Sequence, residues 1–180
     1  MRVTRRLALV WSVTIVFAAG FLVRSSEAQT RSDQNSDRVM RERIATIFQE
    51  TLKRGEFRVM DNAGSPVKVS MFFPPTTEHV DEIRKFGDAA IPILAEYLDS
   101  SIGFEKYLAL RFLGSIGGKG IIEPLRRVVS DDPSPSFRSS AVRWLSLAPW
   151  DLAAPIIRQA AENDSSDEVR SEAKYILAHH

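Results

Sequence analysis

The hydrophobic and polar positions of the C-terminal half recur at an interval far longer than a helical turn. Ala109, Ala141 and Ala173 fall thirty-two residues apart, and so do Leu113, Leu145 and Leu177 and the cations Lys106, Arg138 and Arg170. Pro92, Pro124 and Pro155 interleave with them at spacings of thirty-two and thirty-one. A period in this range marks stacked helical hairpins, each too small to bury its apolar face alone. Local signals divide every period into two helices. Thr76 or Thr77 caps a helix to Phe86, which Gly87 ends, and Asp88 caps the next over 89–99. Further helices are expected over 104–116 and 121–130, from Pro135 to Leu147 with Ser134 as cap, and from an Asp151 cap to Glu162. A Ser165/Glu168 capping box opens the last one, to Ala178. Each proline falls four residues after Asp88, Gly120 or Asp151, in a first turn, where a missing N–H costs least.

Upstream the pattern is different. Met40, Ile44, Ile47, Phe48 and Leu52 form one stripe at helical spacing, which predicts a helix from Asp37 to Arg54 with Ser36 as cap and Gly55 as its end. Arg38, Arg41, Glu42 and Arg43 lie off the stripe, on a solvated face. The period then drops to two. Phe57 and Val59, then Val67, Val69 and Met71, alternate with other residues around the turn signal Asp61-Asn62-Ala63-Gly64-Ser65-Pro66. This predicts a β-hairpin. A lone hairpin is marginal in water, so it is expected to cap the open end of the solenoid. Phe72-Phe73-Pro74-Pro75 ends the segment and offers one phenylalanine as a contact.

The N-terminus is a separate matter. Arg2, Arg5 and Arg6 precede an apolar run from Leu7 to Val23, and Ser26 and Ala28 stand at the −3 and −1 positions of a cut before Gln29. That is the layout of a secretory signal peptide. The alternative is an anchor formed by residues 7–23. The organisation expected is therefore a signal over 1–28, a flexible polar linker over 29–36, helix plus hairpin over 37–75, and repeats over 76–180. The fold class is mainly α: a short α-solenoid of helical hairpins preceded by one amphipathic helix and a small hairpin. The 180-residue chain contains no cysteine, which removes disulfides, thiolate nucleophiles and thiolate metal sites. Loss of residues 1–28 takes away four arginines and one glutamate and turns the formal charge from +1 to −2. A near-neutral chain gives no global case for nucleic acid.

The repeat residues resemble the short HEAT-like repeats named after phycobilisome lyases. The pattern is an acidic residue, Val-Arg, two residues, Ala, and an apolar-Leu-Gly/Ala ending. It reads Asp167-Glu168-Val169-Arg170, Ala173 and Ile176-Leu177-Ala178 in the last copy. In the middle copy it reads Ser136-Phe137-Arg138, Ala141 and Trp144-Leu145-Ser146. The first copy, Phe104-Glu105-Lys106, Ala109 and Phe112-Leu113-Gly114, has lysine at the cationic position. The resemblance implies the fold; it does not imply lyase activity, and fold alone names no function.

The shared positions have structural work. The alanines admit close helices, Phe112, Trp144 and Ile176 fill the core with the leucines, and Lys106, Arg138 and Arg170 face turn acids such as Asp131, Asp132, Asp164 and Asp167. Copies differ on the second helices, where aligning the prolines stacks Ala95 with Arg127 and Arg158, and Leu94 with Arg126 and Ile157. Arg126, Arg127 and Arg158, flanked by Tyr97 and Gln159, are the candidate partner-binding residues. No catalytic, cofactor-binding or metal-binding set is expected. His79, His179 and His180 lack metal spacing, and Gly114-Ser115-Ile116-Gly117-Gly118-Lys119-Gly120 follows a helix rather than a strand. The expected function is an exported, non-enzymatic scaffold that binds another protein, in the periplasm or outside the cell. The alternatives are a binder of an anionic envelope polymer and an accessory subunit of an envelope enzyme. Mass spectrometry of the exported protein is expected to find Gln29 at its N-terminus; a chain that keeps residues 1–28 would revive the anchor.

Overall fold

The structure is a computed structural model that describes residues 33–54, 56–60, 65–70 and 73–180. The signal segment with its Ala28/Gln29 junction, residues 29–32, Gly55 and Phe72 lie outside them. The chain forms two compact units, Met1–Glu42 and Arg43–His180. Helix α1 covers residues 33–54. It is therefore already formed over 33–36, where a linker was expected, and Ser36 lies inside it rather than at its cap. Within the first unit, Arg38 donates from Nη2 to Asn35 Oδ1 at 2.9 Å and approaches Glu42 at 4.0 Å. Contacts three and four residues apart are the ones a helix surface supports.

The second unit continues with β1 (Glu56–Met60) and β2 (Pro66–Ser70), antiparallel, with Phe57 opposite Val69 and Val59 opposite Val67. The array follows. Its first helices are α2 (Thr77–Phe86), α4 (Gly103–Ile116), α6 (Pro135–Leu145) and α8 (Asp167–His179). Its second helices are α3 (Ile91–Tyr97), α5 (Ile122–Asp131) and α7 (Trp150–Asn163). First helices pack on first helices, α2 on α4, α4 on α6 and α6 on α8, while α5 packs on α6 and α7 on α8. Ile83, Leu94, Leu108, Phe112, Leu113, Ile121, Leu125, Leu145 and Ile157 are wholly or almost wholly buried. Trp144 and Leu177, expected in this core, are only half-buried. The indole of Trp144 lies across Gly114 instead, and a Cβ on that glycine would come within 2.3 Å of the ring.

Helix boundaries follow the signals, with instructive exceptions. Thr76 caps α2 by accepting from His79 N–H at 3.1 Å, and Gly87 ends it at φ 56°. Two consecutive glycines in the left-handed region, Gly117 (φ 69°) and Gly118 (φ 74°), turn the chain after α4. Asp88 and Asp151 do not cap α3 and α7. A 3₁₀ turn over Gly87–Ala90 leads into α3, and α7 already starts at Trp150 after Pro149. Pro92 and Pro124 therefore stand in first turns, each just after a 3₁₀ segment, Gly87–Ala90 or Lys119–Ile121. Pro155 holds the same phase but lies inside α7, because there the preceding turn is α-helical. Helix α6 stops at Leu145, two residues short of expectation, and Ser146 and Leu147 continue as a turn. The cap position of α8 is Ser166, not Ser165.

Later repeats are joined by a carboxylate at the head of the turn. Asp132 accepts from Lys106 Nζ at 2.6 Å and from Ser134 N–H at 2.9 Å, while its carbonyl accepts from Arg138 Nη1 at 2.9 Å. One period later Asp164 repeats all three bonds. It accepts from Arg138 Nε and Nη2 at 2.9 and 2.8 Å and from Ser166 N–H at 2.8 Å, and its carbonyl accepts from Arg170 Nη1. Arg170 also pairs with Asp167. Ser100 stands in for the aspartate in the first copy, accepting from Ile102 N–H at 3.0 Å. The expected ladder is thus present through Asp132, Asp164 and Asp167, whereas Asp131 is exposed outside it. The side chains of Arg138 and Asp164 retain only 10% and 7% of their exposure, so solvent screens this pair little. Hydrogen bonding from Arg138 holds the Asp164 carboxyl below its ordinary value, and the reciprocal bond raises Arg138.

The open side of the first hairpin, where the β-hairpin was expected, is covered by α1 from Arg43 onward. Ile44, Ile47 and Phe48 are buried, and the Phe48 ring stacks on Tyr97 at 4.1 Å and meets Phe112 at 5.6 Å. The apolar stripe of a helix reaches across both α3 and α4, which is why it serves as the lid.

Two substitutions test this account by thermal and denaturant unfolding. Gly114→Ala gains about 1 kcal/mol of helix propensity but is expected to lose about 1–3 kcal/mol to the Trp144 overlap, for a net destabilisation. A more stable variant would show that the indole yields freely. Asp164→Asn leaves Arg138 buried and unmatched and is expected to cost about 3–5 kcal/mol at neutral pH. A carboxyl held below its ordinary value stabilises the fold above that value and loses the contribution as pH falls through the folded one. The variant is therefore expected to lose less stability than the parent on acidification, and equal losses would exclude Asp164 as a source of acid sensitivity.

Candidate interaction surface

The second helices carry the residues singled out by comparing the copies. Arg126 is exposed and turned back on its own helix, donating to Glu123 from Nε at 2.9 Å and from Nη2. The bond holds the Glu123 carboxyl below its ordinary value and raises Arg126. Arg127 reaches across to the previous repeat, donating from Nη2 to Asp99 Oδ2 at 3.1 Å and to the Ala95 carbonyl at 3.4 Å. That contact bears out the stacking of Ala95 with Arg127. Arg158 is exposed and forms no hydrogen bond or ion pair with any described residue. Tyr97 departs from expectation: it is half-buried with its ring covered by Phe48, because α1 occupies the space a partner was to take. Gln159 is exposed on the rim of an open notch of about 190 Å³ between α5 and α7, floored by Val129, Ile156 and Ala160. A second notch of about 370 Å³ repeats the arrangement between α3 and α5, with Asp99, Arg127 and Asp131 around it. The three arginines thus all lie on second helices without making a purely cationic patch. Two of them are matched by acids of the same chain.

Sequence reasoning missed the polar contacts of α1. Arg43 donates to Glu82 from Nε at 2.6 Å and Nη2 at 2.7 Å, with Glu50 at 3.6 Å. Glu82 is held below its ordinary value by that bond, and Arg43 is raised. Beside them His79 is buried, its Nδ1 at 3.2 Å from Thr51 Oγ1 and its Nε2 at 3.1 Å from Glu50 Oε2. Hydroxyl, imidazole and carboxylate stand in the order used for nucleophilic catalysis. The hydroxyl does not serve that use: Thr51 is 0% exposed and donates to the Ile47 carbonyl at 2.8 Å. The row fastens α1 to α2. No signal in the sequence tied Thr51 to His79, since the two are far apart along the chain and only the lid helix brings them together. Among the described residues there is also no group of His, Asp and Glu able to hold a metal ion.

The paired helices agree with comparison to known proteins. Residues 91–178 match the family of HEAT repeats. This stretch is thus similar to HEAT-repeat arrays. Among solved structures, the complex of CpcE and CpcF of phycocyanin lyase from Nostoc sp. PCC7120 is similar to this chain at 19% identity and a TM-score of 0.47, over 56% of this chain and 65% of that one. The similarity thus spans just under two thirds of that chain. No curated protein matches the sequence.

Proposed function

We propose that this chain is an exported, non-enzymatic HEAT-repeat protein that binds another protein outside the cytoplasmic membrane. HEAT arrays offer extended surfaces that suit protein partners. The observation that carries the choice of partner is the self-matching of the second-helix cations: Arg126 with Glu123 and Arg127 with Asp99. A polyanion would have to displace both acids, whereas a protein partner needs no such exchange. The closed Thr51–His79–Glu50 row supports the non-enzymatic half of the reading. The signal-like segment over 1–28 supports export, and no helix among the described residues is long and apolar enough to cross a membrane. Arg158 is the one observation that favours an anionic polymer instead, being an exposed cation with no partner among the described residues.

Crosslinking capture with the mature protein separates the two. Protein capture is expected to fall less than about threefold between low and physiological salt, and Arg127→Glu/Arg158→Glu is expected to keep it. A polyanion contact would weaken as a steep power of salt concentration and vanish in the double variant. That result would replace the protein-binding reading.

A further inference from the structure

Among the arginines of the second unit that meet a carboxylate outside their own helix, three offer it the same two-nitrogen edge. Arg43 uses Nε and Nη2 on Glu82, Arg138 uses them on Asp164, and Arg143 uses them on Glu172 at 2.7 and 3.0 Å. The last pair joins neighbouring first helices, with Arg143 on α6 and Glu172 on α8. Shifted back by one repeat, the same two positions are Arg111 on α4 and Ser140 on α6. Helix α4 packs on α6 as α6 packs on α8. The cation has been kept and its acid has become a serine.

The consequence is visible in the hydrogen bonding. Arg111 is half-buried, and its Nε is covered without any acceptor. Neither Arg111 nor Ser140 forms a hydrogen bond or ion pair with any described residue. A guanidinium taken partly out of water without an anion loses hydration and gains nothing in return. Its terminal nitrogens are not covered, so an acceptor can approach them from outside. On the flanking first helices, Arg84 is engaged with Asp81 and the Ser115 carbonyl, and Arg143 with Glu172. By the repeat register, a hydroxyl stands at Ser140 where Glu172 stands for Arg143, so the anion that completes this place by analogy is the two-oxygen carboxylate that Arg143 already grips.

We propose that Arg111, with Ser140 beside it, receives a carboxylate side chain from a protein partner, on the first-helix side of the array. This deepens the protein-binding reading above and rests on it. The partner supplies at this repeat the acid that Glu172 supplies at the next. Second-helix arginines then lie away from the contact.

The test uses the mature chain with Ser140→Glu, which builds the missing pair within the protein. Its Tm is expected to exceed that of Ser140→Gln by about 2–4 °C, and the gain is expected to vanish in an Arg111→Met background. No gain, or a gain that survives loss of Arg111, overturns the juxtaposition. Acetate serves as the external probe. It is expected to shift the Arg111 side-chain NMR resonances saturably in the parent and not in Ser140→Glu; an unresponsive parent overturns the receptor. In crosslinking capture, Ser140→Glu is expected to lose about tenfold of whatever protein the parent retains. Equal capture by both overturns the partner contact. A parent that captures no protein overturns the protein-binding reading and this partner with it, while the thermal and acetate results decide the receptor separately.

Discussion

The array depends on where its turn carboxylates sit. Asp132 and Asp164 each occupy the first position of a turn, close the turn by accepting from the amide two residues on, and take the cation of the preceding repeat. Their backbone carbonyls take the cation of their own repeat. Every component needs the others. Lys106 and Arg138 would be covered cations without the aspartates, and the aspartates would be covered anions without them. Replacing such pairs by apolar residues is often neutral or stabilising, so the ladder is best understood as a device that fixes register. Apolar surfaces of Leu, Ile and Ala would tolerate small slips between neighbouring hairpins. A two-pronged bond from Arg138 to Asp164 does not.

This arrangement explains which parts of the fold could be read from the residues alone. Positions that recur at the period, Lys106/Arg138/Arg170, the three alanines, and Leu113 and Leu145, do what their repetition implied, because these copies face like neighbours; Leu177, in the last copy, is only half-buried. Helix starts marked by local chemistry, such as Thr76 and Pro135, also appear where expected. The misses share a cause. Asp88 and Asp151 have the right side chain for a cap, but the turns before Pro92 and Pro155 are already helical, 3₁₀ in one case and α in the other. Local propensity cannot choose between those two turns. The stripe of α1 announced an apolar face without saying what it would meet, and Phe48 proves to cover Tyr97 and Phe112.

The candidate surface was legible only in part, for a related reason. Aligning the copies correctly put Arg127 over Ala95, yet it said nothing of Asp99, which lies in the turn after α3. Glu123 was three residues from Arg126 and could have been recognised as its partner from helical spacing. Arg158 kept the exposure expected of it. A charge becomes informative about partners only after the charges of the same chain have been subtracted. That subtraction removes Arg126 and Arg127 from the cationic patch, leaves Arg158, and brings forward Arg111, a residue that no composition or periodicity argument had distinguished.

The turn carboxylate has one more implication. Each aspartate looks backward with its side chain and forward with its carbonyl, so a copy of the segment carries both halves of the fastening with it. The connection has the symmetry of a chain link rather than of a lock and key. Duplication of one thirty-two-residue segment between Asp132 and Asp164 would present the newcomer with a correct neighbour on either side, without a compensating change elsewhere. Growth of the array by copying is thus written into its joints, and the side chains on its outer surface are free to diverge once the copy is in place.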